Sequence, residues 1–93
     1  MVKISRNAKQ AFWGVVEECL WAFNRFDRAR AECVTAAYRH GVEQDGDEII
    51  YHDDPFAVAC DLANASLDVR AYWTAYAEIR ERHYHSHGQM VAV

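Results

Sequence analysis

The chain predicts an all-α fold, a hairpin of two long helices that dimerises into a four-helix bundle. Three observations lead there. Apolar residues recur at heptad steps over residues 12–37 and again over 58–83. One Pro and four Gly in 93 residues leave few places for turns. Both apolar stripes are also wider than a single neighbouring helix can hide, which calls for a second copy.

The first stripe is Phe12, Val16, Cys19, Phe23, Phe26, Cys33 and Ala37, with Arg30 in the one missing position. Trp13, Leu20 and Val34 flank it on one side, Val15, Ala22, Ala29 and Ala36 on the other. Ser5 suits the N-cap, and Gly41 suits the position just past the end. A helix over 6–40 follows, roughly 50 Å long at 1.5 Å per residue. Gly14 inside it costs about 1 kcal/mol relative to Ala, which burial must offset. Asn24-Arg25 is the weakest point. A break there gives the alternative architecture, a monomeric three-helix bundle.

Residues 41–54 form an acidic connection, with Asp45-Gly46 as a turn signal. Ile49, Ile50 and Tyr51 within it make a short extended segment or pin the connection to the bundle. The acids do not follow the alternating ligand pattern of a calcium loop, so a solvated loop is expected. Asp54 and Pro55 open the second helix as cap and first residue. It spans 55–86 on the stripe Val58, Leu62, Ala65, Val69, Tyr72, Tyr76, Ile79 and His83. Phe56, Leu67 and Trp73 lie beside that seam. A tail, 87–93, completes a single helical domain over 1–93.

Composition narrows the function classes. At 52% hydrophobic the chain is too apolar for disorder. It has no apolar run of membrane-spanning length and no signal-peptide core, so a cytoplasmic location without membrane insertion is expected. Three cysteines, Cys19, Cys33 and Cys60, point to reduced thiols acting as small core hydrophobes. Residues 1–40 hold seven Lys/Arg against four Asp/Glu, a balance of +3. Residues 41–93 hold three against ten, a balance of −7. The two halves therefore complement each other. Acids interrupt the arginine surface, and nucleic-acid binding is not expected.

Three leads carry function. Trp21 and Tyr38 sit on the polar back of the first helix, with Arg25 one turn and Arg28 two turns after Trp21. Arg with exposed aromatics is the composition of protein-binding hot spots. His83, His85 and His87 are a possible ligand set for zinc or another transition metal if the segment is extended. In a helix, only His83 and His87 align. A nucleophile is the third lead, but Cys33 and His40 are two helical turns apart, roughly 10 Å, beyond hydrogen-bond reach. Arg30, on the seam, is expected to pair with an acid of the second helix or to snorkel outward.

The residues 47–55, DEIIYHDDP, resemble the acidic, Tyr-bearing segment of colicin immunity proteins. They lack that family's paired Tyr, and no activity or partner is carried over. The expected function is a small interaction module, adaptor or inhibitor in type, without catalysis or a cofactor, acting as a homodimer and on a larger protein partner. The alternatives are a metal-binding or metal-responsive protein using the His cluster, and a small enzyme with an interhelical pocket.

Overall fold

A computed structural model describes residues 4–46 and 48–87, without the side chains of 86 and 87. The described residues are all-helical and hold four α-helices: α1 (Arg6–Phe23), α2 (Arg28–Asp45), α3 (Pro55–Ala63) and α4 (Trp73–His87). Two 3-10 turns, Ile49–His52 and Val69–Tyr72, lie in the connections. No helix among these residues is long and apolar enough to cross a membrane. The tail beyond residue 87 lies outside the described residues.

Both long helices of the expected hairpin are broken. A straight 35-residue rod would be about 50 Å long, whereas the longest dimension here is 34 Å. The first break falls at Asn24, where the alternative architecture has it, although the helix count is four rather than three. Asn24 ends α1 by donating its side-chain amide to the Cys19 carbonyl at 3.1 Å. Arg25 then takes a left-handed conformation at φ 67. The Phe26 amide turns back onto the Leu20 carbonyl. Asp27, which sits beside the first stripe in the same row as Leu20 and Val34, instead caps α2 by accepting from the Arg30 amide at 2.7 Å. α2 then runs through Gly41 to Asp45 and ends at Gly46, φ 70. The connection is thereby shorter than 41–54.

The second break is at Asn64, in the left-handed region at φ 55. The Ala65 amide closes on the Cys60 carbonyl at 2.9 Å. Asp68 caps the following 3-10 turn, and α4 starts only at Trp73. Two other expected caps stand as read from the sequence. Ser5 accepts from the Ala8 amide, and Asp54 accepts from the Phe56 amide behind Pro55.

These breaks answer the excess of apolar surface within one chain. α1 lies at the centre, with α2, α3 and α4 all packed on it. Its buried residues, Ala11, Phe12, Trp13, Val15, Val16, Cys19 and Leu20, cover a broad face of about half its circumference. Folding the chain back three times covers a stripe that a simple hairpin leaves wet. Phe12, Trp13 and Tyr51 form one edge-to-face aromatic cluster, with centroids 5.0–5.9 Å apart. The Trp13 indole donates to the Tyr51 hydroxyl at 3.0 Å. The apolar stretch in the connection is therefore a 3-10 pin rather than a strand. Phe23, Phe56, Tyr72 and Tyr76 make the second cluster. There the Tyr76 hydroxyl is held by Asp54 and accepts from the Phe56 amide at 3.2 Å. Burial pushes the Tyr76 phenol far above its ordinary range.

One charged group is drawn into this core. Glu18 is 8% exposed. Arg82 Nη1 reaches both of its oxygens, at 2.7 and 2.8 Å, and His83 Nε2 lies 2.7 Å from Oε1. Burial raises the Glu18 carboxyl, but Arg82 and His83 outweigh it and hold it below the ordinary value of 4.5. Gly14, one turn before Glu18, leaves the space that the His83 ring fills. A Cβ there would sit 2.6 Å from His83 Nδ1.

α2 is the outlier. Of its 18 residues only Ala31 and Thr35 are buried. Cys33 and Ala37, assigned to the seam by their spacing, are exposed. Cys19 and Cys60 are buried as expected. Burial pushes the Cys19 thiol up to about 12, so it stays protonated.

Candidate interaction site at the α1–α2 corner

The break at Asn24 gathers five residues, Trp21, Arg25, Phe26, Arg28 and Arg30, at one corner. The Arg28 guanidinium lies over the Trp21 ring, 4.2 Å from its centroid. The Arg30 guanidinium lies over Phe26 at 4.0 Å. Arg25 lies in the turn itself. All three arginines are exposed, and none of the three forms an ion pair among the described residues. Stacking holds the planes of Arg28 and Arg30 in place, so their donor edges stay available.

The local chemistry here works against stability in two ways. Arg25 occupies the left-handed region, where a Cβ costs about 1–2 kcal/mol. Arg28 and Arg30 stand in the first turn of α2, at the positive end of its dipole, which has no acid in that turn. Replacing Arg25 by Gly should therefore stabilise the fold by about 0.5–1 kcal/mol, after subtracting the extra freedom of Gly in the unfolded chain. The midpoint of urea unfolding, read against wild type, checks this.

Two of the predicted interaction residues, Trp21 and Arg28, are in contact, and Arg25 adjoins them. Tyr38 lies elsewhere. It packs edge-on against Trp13 at 5.8 Å and lines a shallow groove of about 660 Å³ between α2 and the first 3-10 turn. Arg30 was not among the expected interaction residues. Of the two places expected for it, a pair with an acid of the second helix or an outward reach, it takes the outward one, stacked on Phe26. The sequence signal for it is Asp27, whose capping preference moves Arg30 off any seam.

The His cluster takes a different form from the extended one. Residues 73–87 are helical, so successive odd positions do not share a face. His83 is engaged by Glu18, and His85 lies beside Glu78 and Glu81 on the exposed side of α4. The His87 side chain lies outside the described residues. Among the described residues, no group of three His, Cys, Asp or Glu is placed to hold a metal. Cys33 and His40 are both exposed on α2.

No protein-family model, no curated protein and no solved structure matches the chain.

Proposed function

We propose that the chain is a small protein–protein interaction module, of adaptor or inhibitor type. Its docking corner is Trp21, Arg25, Arg28 and Arg30, and its partner presents an acidic segment. The observation that carries this is the corner itself. Three arginines without an ion pair among the described residues stand there: Arg28 and Arg30 are stacked on aromatic rings at a helix end that disfavours them, and Arg25 occupies a backbone position that does the same. Strain of this kind persists where a function selects it. Stacked guanidinium planes present paired donors that match a carboxylate.

An acidic protein segment suits the corner better than a polyphosphate does. Asp27 sits within it, as the cap of α2. Discrete carboxylates can avoid this acid, whereas a continuous phosphate backbone meets it. The whole chain is also acidic, at −4. Docking at this corner alone is compatible with the homodimer expected from the sequence.

The test is an NMR titration with a capped peptide of alternating Glu and Leu, followed on the arginine Nε–H and Trp21 indole signals. Saturable shifts confined to Trp21, Arg25, Arg28 and Arg30 are expected. Arg28→Glu with Arg30→Glu should weaken binding more than about tenfold, and added salt should weaken it further. Tighter binding of single-stranded DNA at the same signals would overturn the assignment to a protein partner.

A further inference from the structure

A cleft of about 230 Å³ lies between α1 and α2, and none of its lining residues belongs to α3 or to the arginine corner. Gln10, Glu17, Glu32, Thr35 and Arg39 bring polar groups to it, and Trp13 is its main apolar wall. Among the described residues, its two carboxylates take part in no ion pair. Glu32 has Arg28 four residues before it, the usual spacing for a helical ion pair. Arg28 is turned away onto Trp21 instead. Arg39, the other nearby cation, pairs with Glu43 at 3.0 Å. Neither Glu17 nor Glu32 makes an ion pair or a side-chain hydrogen bond among the described residues. Burial, then the neighbouring Glu32 carboxylate, raises Glu17 above the ordinary 4.5, while His83 pulls the other way.

A second and separate feature points to a ligand. Thr35 lines the cleft at only 3% exposure, and its hydroxyl oxygen is buried with no hydrogen-bond partner. A buried hydroxyl left unsatisfied costs about 1–3 kcal/mol. Valine has the same shape without that cost, so the hydroxyl has no role in packing alone.

We infer that this cleft binds an organic monocation, an alkylammonium or alkylguanidinium group. Glu17 and Glu32 pair with its charge, Thr35 Oγ1 accepts one of its N–H groups, and Trp13 packs on its alkyl stem. The size suits such a group, since ligand pockets for larger molecules start near 300 Å³. A metal ion fits less well. The cleft has two carboxylates where a hard divalent cation takes six or more oxygens, and no three-residue metal group occurs among the described residues. The cation can be a free amine or the side chain of a Lys or Arg on another protein.

The experiment is a titration of the full chain with butylguanidinium and butylammonium, followed by amide shifts, with N-butylurea as the neutral control. Saturable shifts at Gln10, Glu17, Glu32 and Thr35 are expected, with Kd on the order of 1 mM for so few atoms. Glu17→Gln with Glu32→Gln should weaken binding more than about tenfold. Thr35→Val should weaken it about threefold to tenfold while raising the melting temperature of the free protein. Binding of N-butylurea as strong as that of the cations would overturn the inference. So would an unchanged Kd in the double Gln variant, or a lower melting temperature with unchanged binding in Thr35→Val. A further arm compares 1,5-diaminopentane with N-acetyl-arginine amide. Full affinity for the capped residue assigns the site to a partner's side chain, and binding of the free diamine alone assigns it to a small amine. The arginine corner is untouched by these variants, so its peptide binding should be unchanged.

Discussion

Glu18→Ala should destabilise the fold by about 2–4 kcal/mol, seen as a lower urea midpoint with an unchanged slope. The carboxylate is buried and joins α1 to two consecutive residues of α4. Removing it deletes three close contacts. The upper end of the range for broken buried pairs does not apply, because the Arg82 side chain is 58% exposed and regains water. The same variant should change the pH profile. A carboxyl held below its unfolded value contributes stability above that value, and this is lost as pH falls through the folded pKa. Wild type should therefore lose stability below about pH 4.5 more steeply than Glu18→Ala. Parallel acid limbs in the two proteins would show that Arg82 and His83 do not hold the Glu18 charge.

Gly14→Val should cost about 2–3 kcal/mol, and Gly14→Ala about 1. Helix propensity alone predicts the opposite for Ala, a gain of about 1 kcal/mol. The structure decides the sign. A Cβ at Gly14 meets two ring atoms of His83, at 2.6 and 2.9 Å. The ring escapes only by giving up its bond to Glu18. Losing that bond outweighs the propensity gain, and Val adds bulk with no propensity gain to offset it. Thermal or urea unfolding of the pair gives the order. A more stable Gly14→Ala protein would mean that the ring moves without penalty.

The helical class, the caps at Ser5 and Asp54 and the weak point at Asn24 were legible because each rests on neighbouring residues. The continuity of the helices was not. Phe23 and Phe26 fit a heptad step, yet one packs on Phe56 and Tyr72 and the other closes a corner under Arg30. Cys33 and Ala37 kept the spacing going by coincidence and are exposed. Asp27 held the contrary signal, since a cap former is a poor interior helix residue. Trp21, Arg25 and Arg28 were picked out by composition, which a break in the helix does not disturb. The Glu18–Arg82 pairing spans 64 residues, and no local pattern marks which acid of α1 turns inward. Gly14 could be flagged as costly from the sequence, but what occupies its space could not.

The most direct test of the docking corner is a charge swap measured by calorimetry. The alternating Glu–Leu peptide should bind wild type and fail to bind Arg28→Glu with Arg30→Glu. A Lys–Leu peptide of the same length should bind that variant and not wild type. Equal affinity of both peptides for both proteins would contradict the proposed role of Trp21, Arg25, Arg28 and Arg30.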